Sequence, residues 1–250
     1  MISYFICGTA RCGSSLLSRA LSDTGIAGHP DEWFLTGPSD AFPPGTTHWE
    51  DGPLARYYGV IGREEYLRLV QRVGSTPNGV FGVKIMWTYF EYVMKRFHEM
   101  SRFARVSDEM IIKSTFPGLH IVHLVRNDRL RQAISWLRAV QDGVWLVSEH
   151  EPARPLAEPC FDYDVLAGMM DLIEEGEQGW LDLYKRLDID PYVVVYEDLM
   201  TTEGYEHTVR SVLAYLDLDD TIEVPSPRAW RQADSINDEW VQQFQDWRTS

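Results

Sequence analysis

Short apolar runs alternate along this chain with longer stretches whose apolar residues recur every three or four positions. The run Tyr4-Phe5-Ile6-Cys7 predicts a strand over residues 3–7. Leu16, Leu17, Ala20 and Leu21 then share one face of a helix that starts near Ser14 and stops before Gly25. Glu64-Glu65 opens a helix to about Val73. Thr76-Pro77-Asn78-Gly79 next turns the chain into a buried strand over 80–87, whose one charged residue is Lys84. Residues 119–125 predict another strong strand, and a helix follows over 128–141. Leu166, Met170, Ile173, Trp180, Leu183, Tyr184 and Leu187 stand at helical spacing across 163–187. Asp190-Pro191 leads into a strand over 192–196, and helices near 202–216 and 237–246 complete the pattern. Two proline-bearing connections, 28–62 and 149–162, have the length of loops that are usually either functional or disordered. Alternation of this kind predicts an α/β fold, a central parallel sheet flanked by helices. With no internal repeat and no break in composition, a single domain over 1–250 is expected.

Composition narrows the partners. No run of 18 apolar residues exists, so no membrane-spanning helix is expected, and the N-terminus enters a strand without the marks of a signal peptide. Cys7, Cys12 and Cys160 are too few and too scattered for a disulfide framework or a zinc site, which fits a reducing cytoplasm. His120 and His123 share a strand at odd spacing, face opposite sides and make a poor metal pair. A net charge of −15 disfavours nucleic acid or an anionic membrane. It also requires that a polyanionic ligand be gripped by cations placed locally. Of 23 cationic residues only Lys84, Lys95, Lys113 and Lys185 are lysines, and arginine is the better bidentate phosphate ligand.

Gly8-Thr9-Ala10-Arg11-Cys12-Gly13-Ser14-Ser15 follows the first strand directly and has phosphate-loop spacing, with glycines five apart. A loop that cleaves nucleoside triphosphates needs a lysine after the second glycine and a metal on the next hydroxyl. Here Ser14 stands in the lysine's place and the cation comes earlier, as Arg11. Backbone amides and a helix N-terminus can still cradle an anion, and what remains suits a phosphosulfate. A P-loop kinase-like phosphotransferase, or a nucleotide-binding protein without chemistry, are the alternative readings. Neither of the next two strands ends in the acidic residue that would hold Mg²⁺ in such a kinase.

Arg126 occupies the carboxyl end of the strand over 119–125, and Ser135 lies nine residues on. Ligands of open α/β sheets bind beyond the carboxyl ends of the strands, so this guanidinium and hydroxyl can grip a nucleotide's 3′-phosphate. Tyr196, within Tyr196-Glu197-Asp198-Leu199, closes a further strand where its ring can meet an adenine. Pairing of Arg126 with Asp128, and packing of Tyr196, are the structural alternatives.

These motifs together resemble the signature set of sulfotransferases, and more closely the bacterial trehalose 2-sulfotransferase-like group. The matching stretches include residues 25–34, 76–87 and 132–141, then Arg231-Gln232-Ala233-Asp234 and Asp238-Glu239-Trp240-Val241. The resemblance implies a P-loop-like sulfotransferase fold. It implies as donor 3′-phosphoadenosine 5′-phosphosulfate (PAPS), as product adenosine 3′,5′-bisphosphate, no metal, and a carbohydrate or glycolipid-type acceptor. It places Arg11, Cys12, Gly13, Ser14 and Ser15 around the 5′-phosphosulfate, Arg126 and Ser135 on the 3′-phosphate, Tyr196 on the adenine and Arg231 over the nucleotide. Glu32 aligns with the family's general base, and His29, Trp33 and Lys84 fall on the acceptor side. The trehalose pattern carries an acid where this chain has His29, so the sugar contacts differ there and His29 is a rival for the base. Trp136 and Trp145 flank a segment that in the family contributes to a homodimer surface.

The chemistry asks for such a base on its own terms. Sulfuryl transfer is an in-line displacement at sulfur, and an alcohol is a poor nucleophile until a positioned group takes its proton. Arg11 and backbone amides meet the other requirement, charge developing on the leaving oxygen.

Overall fold

A computed structural model describes residues 2–35, 54, 60–145, 157–227 and 235–248. The apolar runs form a four-stranded sheet of β1 (Ile2–Gly8), β2 (Val80–Met86), β3 (Leu119–Val125) and β4 (Tyr192–Val195), in the order β2-β1-β3-β4 with every pair parallel. Parallel strands covered on both faces need continuous rather than alternating apolar sequence. All seven residues of β2 are accordingly buried, as are six of the seven in β1. Gly8 pairs with both Met86 and Leu124, and Val125 with Val195, so all four strands end along one edge.

The helices are α1 (Ser14–Asp23), α2 (Arg63–Val73), α3 (Trp87–His98), α4 (Asp108–Thr115), α5 (Arg129–Asp142), α6 (Tyr163–Leu187), α7 (Tyr196–Leu199), α8 (Thr202–Tyr215) and α9 (Ser235–Arg248). Side-chain caps start several of them where the sequence places a short polar residue. Asp128 accepts from the Arg131 amide at 2.9 Å, Asp162 from Val165 at 3.0 Å, and Thr201 from Gly204 at 3.0 Å.

The strand expected over 80–87 ends one residue early. Trp87 opens α3, because Phe90, Val93, Met94 and Phe97 bury one helical face. Tyr196 likewise begins the single turn α7 instead of closing a strand, and α4 adds a helix that the apolar pattern does not announce. The main core wraps the sheet, with Trp180, Tyr4, Phe81, Ile6 and Leu124 among its largest fully buried side chains. A second cluster joins α5, α6 and α9 through Ile134, Trp136, Leu137, Leu166, Ile173, Trp240 and Phe244. Trp136 therefore packs within the chain. Among the described residues no helix is long and apolar enough to cross a membrane.

Candidate active site

The common edge of the strand ends gathers four segments. After β1 the loop turns at Arg11 (φ 65°) and Gly13 (φ 95°), both left-handed; Gly13 is the N-cap of α1 and has no side chain to cap it, while the Ser14 amide meets the Cys12 thiol. A Cβ on Gly13 would stand 2.5 Å from the Tyr196 ring, so the ring of α7 lies flush against the loop and only glycine fits between. A helix N-terminus left open in this way presents N–H groups to an anion.

Two guanidinium groups converge beside it. Arg11 donates from Nε to Ser135 Oγ at 3.0 Å and from Nη1 to the Trp145 carbonyl. Arg126 donates from Nη1 to the Arg11 carbonyl at 3.3 Å and lies 4.3 Å from the centre of the Tyr196 ring. Burial, and then the charge of Arg126, lowers the Arg11 pKa to about 10, which still leaves it protonated at neutral pH. Burial also lowers that of Arg126. The Arg126 Nε is buried without a hydrogen-bond partner. Such an atom is costly unless an acceptor arrives, and paired cations of this kind favour an anion between them. The charge of Glu197, adjacent to Tyr196, offsets part of the lowering at Arg126 from a distance. Its carboxylate accepts from the amides of Asn127 and Asp128 at 3.2 Å and ties α7 to the end of β3.

Within the loop, Cys12 and Ser14 turn their side chains inward. The Cys12 thiol is fully buried, and desolvation pushes its pKa up to about 11. The Ser14 hydroxyl lies 3.6 Å from Met86 Sδ. Neither side chain is thus turned toward an anion at the helix start, which leaves only backbone groups to meet one. Ser15 faces the other way, toward Lys84.

On the β2 side a second cluster forms. Lys84 Nζ donates to Ser15 Oγ at 3.1 Å and lies 3.3 Å from Glu32 Oε2, and the Tyr89 hydroxyl is 3.1 Å from Glu32 Oε1. Only 8% of the Lys84 side chain is exposed against 28% for Glu32, a burial that requires the pairing. The Lys84 amide donates to the Asp31 carbonyl at 3.0 Å, fixing the Glu32 backbone beside β2. One ammonium thus links a carboxylate to the first turn of α1. Tyr89 is a partner that the motifs do not announce, since one tyrosine among Trp87, Phe90 and Tyr92 carries no local signal of a carboxylate partner.

His29 is exposed, its amide donating to the Gly74 carbonyl at 2.9 Å and its carbonyl accepting from Trp33 Nε1 at 2.8 Å. The Trp33 indole is held back against His29 and Gly74, and its carbonyl accepts from the Tyr66 hydroxyl at 2.6 Å. The structure therefore joins Arg11, Ser135, Arg126 and Tyr196 in one group and Ser15, Lys84 and Glu32 in another. His29 and Trp33 stand together one step outside the second. Arg231 lies outside the described residues. Among the described residues no group of three or more His, Cys, Asp or Glu side chains is placed to hold a metal.

The family model described as Stf0 sulphotransferase matches residues 3–246. The chain is 30% identical over 257 residues to the trehalose 2-sulfotransferase of Mycolicibacterium smegmatis, covering 97% of this chain and 94% of that protein. It is 28% identical to the trehalose 2-sulfotransferase of Mycobacterium tuberculosis, covering 96% and 93%. A crystal structure of a sulfotransferase from Alicyclobacillus acidocaldarius superposes with a TM-score of 0.51 at 17% identity, over 98% of this chain and 92% of that one. That last likeness speaks for the fold.

Proposed function

The chain belongs to the Stf0 sulphotransferase family, and from that premise we propose that it moves a sulfuryl group from PAPS to a hydroxyl of a carbohydrate acceptor. The observation that carries the donor assignment is the buried, partnerless Nε of Arg126 beside Arg11 and Ser135. Those residues fit a phosphate on the nucleotide side, and the uncapped start of α1 at Gly13–Ser15 fits the phosphosulfate end. Tyr196, already stacked under Arg126, offers its ring to the base. When bound, this donor supplies a sulfuryl group activated by a phosphate leaving group.

The chain's own residues supply position and charge. Glu32 accepts the proton of the acceptor hydroxyl as the oxygen approaches sulfur. Lys84 and Tyr89 each touch one of its oxygens, which fixes the carboxylate plane and leaves lone pairs for that proton. Lys84, bonded at once to Ser15, sets the base at a fixed offset from the loop. Arg11 and the loop amides stabilise negative charge on the leaving side. The carbohydrate class is supported by the two mycobacterial relatives, both described as trehalose 2-sulfotransferases. The exposed His29 beside Trp33 gives that side an imidazole for sugar hydroxyls.

Calorimetric titration with adenosine 3′,5′-bisphosphate, 5′-AMP and ATP–Mg²⁺, followed by transfer from labelled PAPS to disaccharides with trehalose first, tests the proposal. Selective binding of the bisphosphate and label on a sugar is the expected result. Binding of ATP–Mg²⁺ alone would overturn it in favour of a phosphotransferase.

A further inference from the structure

Beneath the loop, on the side away from the strand-end opening, lies a buried polar chain that none of the roles above uses. Thr9, 2% exposed, donates its hydroxyl to Glu177 Oε1 at 3.0 Å and accepts from Gln132 Nε2 at 2.9 Å. The same Gln132 nitrogen donates to the Ala10 carbonyl at 2.8 Å. Glu177 Oε2 lies 2.9 Å from His123 Nε2 of β3, off the line that a hydrogen bond needs, and His123 is 2% exposed. One turn along α6, the Trp180 indole donates to the Gly8 carbonyl at 2.8 Å. Gly176 brings α6 so near that a Cβ there would meet the Thr9 methyl at 2.7 Å. Gly8, Thr9 and Ala10, the three residues that lead into the left-handed turn at Arg11, are thus each held by a side chain of α5 or α6.

From this we propose that Glu177 is a positioning residue of the anion loop, acting through Thr9, with Gln132 completing the clamp. The inference rests on the sulfotransferase reading for what the loop carries, and on geometry alone for the clamp. A carboxylate is otherwise an odd group to place, half-buried, behind an anion site, because its charge opposes the ligand. Its place is explained if what the loop requires is an acceptor that fixes the Thr9 hydroxyl. Buried polar chains of this kind rigidify what they join when every member is satisfied, and loosen it when one is removed.

The hydroxyl and the methyl of Thr9 make opposite predictions, and this separates positioning from filling. Thr9→Val keeps the shape and the contact with Gly176 but leaves Glu177 and Gln132 without their shared partner. Thr9→Ser keeps the hydroxyl and loses the methyl. The expected result is a fall in kcat of roughly tenfold or more for Thr9→Val and for Glu177→Leu. Thr9→Ser and Glu177→Gln should recover most of the rate, with KM for the sugar unchanged throughout. Amide hydrogen exchange read by mass spectrometry over residues 9–15 gives a second readout that needs no donor. It should quicken in Thr9→Val and Glu177→Leu while residues 2–8 stay protected. Rates and loop exchange that are worse in Thr9→Ser than in Thr9→Val would assign Thr9 to packing and overturn the proposal. Unchanged loop exchange in Glu177→Leu would do the same. A wild-type protein with no transferase activity would instead overturn the sulfotransferase reading, while the exchange result would still decide the clamp.

Discussion

Lys84 lies on the edge strand of the sheet, where a lysine commonly snorkels to solvent. Here it is buried and holds Ser15 and Glu32 together instead. Replacing Glu32 tests the base while Tyr89 still has an oxygen to meet. Glu32→Gln should bind adenosine 3′,5′-bisphosphate like wild type and lose about 10²- to 10⁴-fold in transfer rate, measured with labelled donor. Full activity in that variant would move the proton to His29. Cysteine chemistry separates two other residues. Burial raises the Cys12 pKa and hides its sulfur, whereas Cys160 is exposed. Iodoacetamide at pH 8 should therefore label Cys160 and spare Cys12 in the folded protein, as peptide mass spectrometry would read. Labelling of Cys12 at a similar rate would mean that the loop opens in solution.

At the scale of elements, α6 is the helix that supports the site from behind, and its glycines show how closely it must approach. A Cβ at Gly179 would lie 2.1 Å from the Trp87 ring, which is stacked on Phe90 at 5.4 Å and edge-on to Trp180 at 5.2 Å. Gly168, in the same helix, has nothing within 4 Å of such a Cβ. Helix propensity alone favours alanine at both positions by about 1 kcal/mol. The clash should reverse the sign at one of them. In urea denaturation, Gly179→Ala is expected to lose about 1–3 kcal/mol, and Gly168→Ala to gain up to about 1 kcal/mol. The extent of α6 was legible from its apolar spacing, as were α1, β3 and the helix after β3. The start of α3 was not. Phe81 through Phe90 is largely apolar, broken only by Lys84 and Thr88, and only the tertiary burial of Phe90, Val93 and Phe97 decides where the period changes.

For the whole molecule, the strand-end placement of Arg11, Arg126 and Tyr196 was readable because sheet topology brings the residues after each strand to one edge. The contacts that make the site rigid were not readable. Thr9 and Glu177 are 168 positions apart, and no local pattern joins them. The pairing of Arg11 with Ser135, across 124 positions, depends on how α5 leaves β3. Anion binding at this edge should stabilise the folded chain by linkage, about 2.7 kcal/mol at a ligand concentration one hundred times its dissociation constant. For a chain of this size that corresponds to a rise of roughly 5–10 °C in Tm with adenosine 3′,5′-bisphosphate. Scanning calorimetry would read it, and no shift at saturation would remove the site from this edge.

The strand order carries one more consequence. β1 is synthesised well before either of its neighbours: Ile2 pairs with Val80, and Ser3 with Leu119. A nascent chain therefore carries an apolar strand with both edges open until β2 is made and with one edge open until β3 follows, the exposure that invites association between chains. Loop closure over such spans is slow, so refolding belongs with topologies of high contact order. The same late closure means that the anion loop has no wall on its β3 side until Arg126 arrives, and no ring beneath it until Tyr196. Ligand-binding competence and completion of the sheet are then one event, and binding of the bisphosphate by a growing chain would report the moment at which β4 docks.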